Sequence, residues 1–229
     1  MSEHTRITRG NVDLSQDLDE IVYSRRTIRH YADKKIAPEV YEELISAAVQ
    51  APSACNRQEW RFLVVEDKRL LHWLFEQGGA TFIDHVPQGI LVLHVNRTDN
   101  KAYWDPVQSA AAAIMLLQLK AYALGIGSCW VCHLPPKREI RRKFNIPSYY
   151  DPIAFVTLGY WTREPARRPR KVAVKSLLAY NRFSFDEPPL PVFDMRVFLR
   201  LWARRLYYLL PWRKHLYPWV RKYEKKFYD

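Results

Sequence analysis

The chain reads as an α+β fold: a sheet flanked by helices around one long buried helix, with a basic helical extension at its C-terminus. Three observations predict it. Gln88–Val95 is nearly continuous in apolar residues, as a strand covered on both faces is. Asp105–Leu124 is apolar almost all round, which fits a helix buried in a core or a subunit interface. Asp186-Glu187-Pro188-Pro189-Leu190-Pro191 is a stiff linker, and beyond it the composition turns basic and aromatic. The expected division is 1–185 for the core and 186–229 for the extension.

The elements follow in order. Asp17–Ser24 reads as a short helix. Pro38 opens a second, because proline suits a first helical turn and Val40, Leu44, Ile45 and Ala48 recur at helical spacing; it ends near Gln50, before Pro52. Arg61–Glu66 is a strand by its β-branched centre, and Leu70–Gln77 a short helix stopped by Gly78-Gly79. After the Gln88–Val95 strand and the central helix, Gly125 and Gly127 terminate the helix and Ser128–Val131 is extended. Pro136 starts a small helix carrying Arg138–Phe144, and Asp151–Tyr160 is a further strand. Past the linker, Phe193–Leu210 reads as a helix with Arg196, Arg200 and Arg204 in one stripe, broken by Pro211.

At 229 residues and 27.2 kDa the chain can bury a substantial core, and 48% hydrophobic residues argue against disorder. Met1–Ser24 mixes acidic and basic residues without an apolar run, and Ala110–Leu117 is too short to cross a bilayer, so a cytoplasmic protein is expected. Three cysteines make no disulfide framework. The net charge of +12 favours anionic partners without choosing among phosphate cofactors, acidic lipids and nucleic acid.

Two stretches carry the chemistry. Arg25-Arg26-Thr27-Ile28-Arg29 packs three guanidiniums into five residues, and guanidinium is the forked donor best matched to a phosphate dianion. Pro52-Ser53-Ala54-Cys55-Asn56-Arg57-Gln58-Glu59-Trp60 is a turn of small and amide residues suited to close approach to a flat polar ring. Taken singly, the arginines also fit a solvated helix face and the second stretch an ordinary loop after a helix. Their pairing is the signal.

Together they resemble the nitroreductase family of flavin enzymes, in which an Arg-Arg-Ser/Thr-x-Arg motif holds the phosphate of FMN and a Pro-Ser-x-x-Asn-x-Gln-Pro-Trp segment runs along the flavin. Glu59 stands where the family has proline. The resemblance covers about Ile21–Phe183 and extends to the Gly-x-Gly-Ser-Cys-Trp segment and the Leu-Gly-Tyr strand end. It implies that Arg25, Arg26, Thr27 and Arg29 bind the phosphate, joined by Arg170 or Lys171, although the latter stretch also fits a plain solvated loop. It implies that Pro52, Ser53, Ala54, Asn56 and Gln58 meet the flavin edge from the neighbouring subunit of a homodimer. The resemblance further implies a mixed sheet, and that the residues whose backbone N–H groups face flavin N5 and O4 fall near Val131, Cys132 and His133, where they would stabilise a reduced anionic ring as an oxyanion hole stabilises charge.

Cys129-Trp130-Val131-Cys132-His133 also fits the C-x-x-C-H spacing of haem attachment and contains a C-x-x-C redox pattern. No export signal accompanies it, and residues i and i+3 of an extended segment point to opposite faces. His72, His85 and His94 show no spacing with the cysteines that would hold zinc. Phe75–His85 and Tyr103-Trp104 are candidates to shape a substrate pocket, or else core.

The reading is thus an FMN-dependent oxidoreductase that passes a hydride from NADH or NADPH, through flavin N5, to a nitroaromatic, quinone or enone. No side chain is required as acid or nucleophile, and no metal. Two alternatives stand beside it. One is a specialised flavin enzyme of the same fold, dehalogenating or flavin-fragmenting. The other is a non-catalytic dimer whose tail does the work. Residues 193–229 fit either an arm packed on the partner subunit or an amphipathic segment on an anionic membrane; no nucleic-acid motif is present.

Overall fold

The computed structural model describes residues 14–163, 172–185, 193–210, 212, 215 and 216. The chain divides into two compact units, Met1–Pro165 and Ala166–Asp229, so the expected boundary at 185/186 falls within the second.

Among the described residues, the first unit holds five α-helices and one four-stranded sheet. They are α1 (Leu14–Ser24), α2 (Pro38–Ala48), β1 (Trp60–Val65), α3 (Lys68–Glu76), β2 (Gln88–Val95), α4 (Asp105–Ala123), β3 (Gly127–Val131), α5 (Lys137–Lys143) and β4 (Tyr150–Gly159). Strand order is β1-β2-β4-β3, every pair antiparallel. The parallel component of the sheet is a single bridge, Thr27 to Ser128, outside the named strands.

The apolar run of β2 is explained by what covers it. Ile90 and Val92 face one side, where Leu44 and Ala48 of α2 and Ala113, Ile114 and Leu117 of α4 pack. Leu91 and Leu93 face the other, against Leu71 and Leu74 of α3, Ile140 of α5 and Phe155 of β4. An antiparallel sheet with helices on both faces has no solvated side, so alternation gives way to continuity. α3 is capped by Asp67, whose carboxylate accepts from the Arg69 N–H at 2.8 Å.

Helix α4 is less enclosed than its composition predicts. Ala110, Ala113, Ile114, Leu117 and Ala121 are buried, while Ala111, Ala112, Met115, Leu116 and Leu119 are only half-buried. The second unit, by itself, contains a 3-10 turn at Val174–Leu177 and α6 (Met195–Leu209). Asp194 caps α6, accepting from the N–H groups of Arg196 and Val197 at 2.8 and 3.3 Å.

Candidate functional site

The arginine cluster is laid along the edge of β3. Arg25 ends α1, its N–H donating to the Ile21 carbonyl at 3.0 Å. The chain then pairs with the edge strand: Thr27 bridges Ser128, and the Ile28 N–H donates to the Ser128 carbonyl at 2.9 Å. Ile28 is buried on Gly127, where an added Cβ would lie 2.8–2.9 Å from three Ile28 atoms. A glycine is required there because the two segments approach too closely for any side chain.

Anchoring Ile28 inward leaves Thr27 exposed and Arg25 and Arg29 half-buried. The Arg29 guanidinium lies 5.7 Å from the Phe82 ring centroid, a cation–π distance. Both arginines also act on Cys129 of β3. Burial pushes that thiol up to about 11, while the charges of Arg29 and Arg25 pull against the shift. Cys129 is therefore a neutral core thiol and no nucleophile at neutral pH. Arg26 behaves differently, because its Nη1 donates to the carbonyls of Tyr23 and Arg25, each at 2.7 Å. Its Nε is buried without a hydrogen-bond partner.

That donor set fits a phosphate. Two guanidiniums and a threonine hydroxyl share one strand edge, and the orphaned Arg26 Nε is a buried donor that lacks an acceptor. Arg170 and Lys171 lie outside the described residues.

The second stretch is a loop held in an uncommon conformation. Cys55, Asn56 and Gln58 have φ of 51°, 54° and 52°, in the left-handed region that non-glycine residues seldom enter. Besides the backbone bonds from the Asn56 and Arg57 N–H groups to the Ser53 and Ala54 carbonyls, at 2.9 and 3.1 Å, three hydrogen bonds to side chains hold it. The Ala54 N–H donates to Ser109 Oγ at 3.1 Å, the Gln58 N–H to Ser53 Oγ at 3.1 Å, and Gln58 Nε2 to Asn56 Oδ1 at 2.8 Å. The Trp60 indole N–H donates to the Ser109 carbonyl at 3.1 Å, so the first turns of α4 fix both ends of the segment. Pro52 and residues 55–58 are exposed, Ser53 and Ala54 half-buried. Asn56 and Gln58 thus present amide groups outward from a fixed backbone.

The third stretch is the end of β3. Val131 is buried and Cys132 and His133 are exposed, and the His133 carbonyl accepts from the Ala80 N–H at 3.0 Å. This bond ties the strand end to the segment after α3, the side from which Phe82 meets Arg29. Cys129 is buried, Cys132 is exposed, and neither is in a disulfide. The described residues contain no group of three His, Cys, Asp or Glu able to hold a metal ion.

One chain does not bring the arginine cluster and the amide loop together. β1 and β3 are opposite edges of the sheet, three strand spacings or about 14 Å apart. Trp60 is level with His94 and Asp151, whereas Ser128 is level with Leu158, about 23 Å further along at roughly 3.3 Å per residue. The Thr27 bridge and the amide loop therefore occupy diagonally opposite corners.

Of the pocket candidates, Phe75, Thr81 and Ile83 are buried and belong to the core. Tyr103 and Trp104 stay open, with relative exposures of 70% and 67%. A cavity of about 260 Å³ lined by Tyr31, Asp33, Lys68, Asp84 and His85 touches none of the three stretches.

Residues 22–91 and 74–160 match the family model described as the Nitroreductase family. The chain belongs to the nitroreductase family. Protein DrgA of Synechocystis is 36% identical over 204 residues, covering 72% of this chain and 97% of that protein. The FMN reductase [NAD(P)H] of Bacillus subtilis is 25% identical over 175 residues, covering 67% and 70%. Among solved structures, an FMN-dependent nitroreductase of Clostridium difficile superposes with a TM-score of 0.63 at 27% identity, covering 72% of this chain and 99% of that one.

Several parts of this candidate site have no signature in the motifs. Ser109 anchors the amide loop from 55 residues away. Phe82 lies over Arg29, and Gly127 admits Ile28. Gly127, expected to help end α4, is instead the first residue of β3, and the sequence does not show that Ile28 is the side chain it makes room for.

Proposed function

We propose that this nitroreductase-family chain is an FMN-dependent NAD(P)H oxidoreductase working as a homodimer, each site built from two chains. The observation that carries the reading is the placement of a phosphate-type donor set and a rigid amide loop on opposite corners of one sheet. Neither is a complete flavin site, and a two-fold axis supplies each with its complement. The half-buried apolar face of α4, around Met115, Leu116 and Leu119, supports pairing through this helix.

Arg25, Arg29 and Thr27 hold the phosphate, with the Arg26 Nε adding a donor. Asn56 and Gln58 of the partner copy meet the pyrimidine edge, kept outward by their mutual hydrogen bond. The backbone of Val131, Cys132 and His133 lines the reactive edge of the ring. Bound flavin supplies hydride acceptance and release at N5, which asks of the protein no acid, base or nucleophile. Tyr103 and Trp104 are open aromatic surfaces on which a planar acceptor, a nitroaromatic, quinone or enone, stacks.

The test is titration of flavin-free protein with FMN and with riboflavin. Charge-assisted hydrogen bonds contribute about 1.5–3 kcal/mol each, so two arginines favour FMN by at least about 100-fold. Equal affinity for the two flavins would remove the phosphate role from the cluster.

A further inference from the structure

We propose that α6 lies on the surface of an anionic lipid bilayer. Residues 195–223 contain Arg196, Arg200, Arg204, Arg205, Arg213, Lys214, Arg221 and Lys222 and no Asp or Glu. The preceding acid, Asp194, is engaged as the helix cap. A surface of one sign selects a partner of the other sign. A second copy of this chain carries the same +12 and the same tail, whereas phosphatidylserine-type headgroups present dense negative charge.

The helix geometry narrows the choice further. At 100° per residue, Met195, Phe198, Leu199, Trp202, Leu206 and Leu209 fall within an arc of about 100°, and positions 196, 200 and 204 form a stripe beside it. All six of those apolar residues are exposed, Leu209 at 72% and Leu199 at 58%. Arg196 and Arg200 are exposed as well. A polyanion such as nucleic acid asks for the cations alone and leaves that apolar face in water. A bilayer interface takes both: the apolar arc enters the acyl boundary and the arginines reach headgroup phosphates.

Length decides between lying on the bilayer and crossing it. Fifteen residues span about 22 Å, short of the roughly 30 Å hydrocarbon core. No helix among the described residues is long and apolar enough to cross a membrane. Trp202 and Trp212 are exposed, and indole is enriched at the headgroup level.

The experiment is co-sedimentation of the full-length protein with vesicles of phosphatidylcholine alone and with 30% phosphatidylserine. Leu206→Asp and the pair Arg196→Gln/Arg200→Gln are compared with the parent chain. Both sites are exposed, and light scattering and bound-flavin content check assembly and folding in each sample. The parent pellets with the anionic vesicles and at least tenfold less with neutral ones, Leu206→Asp abolishes pelleting, and the arginine pair weakens it by about 25-fold at fivefold per charge. No pelleting with anionic vesicles overturns the proposal. So does equal pelleting with neutral vesicles, or a Leu206→Asp protein that pellets normally but falls from dimer to monomer. The last result would assign the face to a second copy of the chain. The flavin readout is separate, so failure here leaves the FMN reading intact.

Discussion

If each flavin site takes its phosphate cluster from one chain and its amide loop from the other, two inactive variants restore activity when combined. The first, Arg25→Ala/Arg29→Ala, removes both guanidiniums beside Cys129. The second, Asn56→Ala/Gln58→Ala, removes the hydrogen-bonded amide pair. Losing two charge-assisted contacts costs about 3–6 kcal/mol of FMN affinity, a weakening of at least about 100-fold that empties the site at micromolar flavin. Each variant homodimer is then inactive at both sites. In a mixed dimer, one site combines both defects and the other combines two intact parts. Random pairing of equal amounts gives half mixed dimers, so about a quarter of the parent's sites return. The assay is bound flavin and NAD(P)H oxidation after co-expression of differently tagged chains. The diagonal separation across the sheet requires this result. Recovery of nothing, with mixed dimers isolated, would place both parts in the same chain's site and refute the reasoning.

Other predictions follow from single contacts. Gly127→Ala drives a methyl group into Ile28, costs about 1–3 kcal/mol by thermal unfolding and weakens FMN binding by displacing the arginine segment; an unchanged FMN affinity would uncouple the two. Iodoacetamide at pH 8 labels Cys55 and Cys132 and spares Cys129, whose burial holds the thiol at about 11, until the protein unfolds; mass spectrometry reads the sites. Burial disfavours the charged form of Asp151, yet hydrogen bonds from Lys137 and Asn96 and the Arg141 charge hold its carboxyl below the usual range. A lowered folded value stabilises above the ordinary carboxylate range and is lost as pH falls through the lowered value. Asp151→Asn is therefore destabilising by a few tenths to about 1 kcal/mol at neutral pH, and the gap to the parent closes in acid; a gap that widened in acid would reverse the assignment.

The features legible in the sequence are those that depend on local pattern. β2 spans Gln88–Val95, as its apolar run predicts, and α2 starts at Pro38. The nitroreductase resemblance rests on two short motifs, and the family match confirms it. What the sequence hides depends on contacts between distant residues or on local backbone choice. Arg26 sits in a motif of three equivalent arginines, yet the end of α1 places two carbonyls within its reach and turns it onto its own backbone. Asn56 is a residue that tolerates positive φ, but Cys55 is not, and the docking of Ala54 on Ser109, 55 residues away, helps hold the loop there. Phe75–His85 reads from sequence as either pocket lining or core, and the structure buries Phe75 and Ile83, with Ile83 in the same core cluster as Leu74.

The central claim is that this chain binds FMN at its arginine edge and passes it the electrons of NADH or NADPH. The most direct test is the visible absorption spectrum of the purified protein under anaerobic conditions, before and after addition of each nucleotide. A yellow protein whose flavin band bleaches with a nucleotide, and does not form in the Arg25→Ala/Arg29→Ala protein, is the result predicted. A folded, colourless protein that takes up no added FMN would contradict the account.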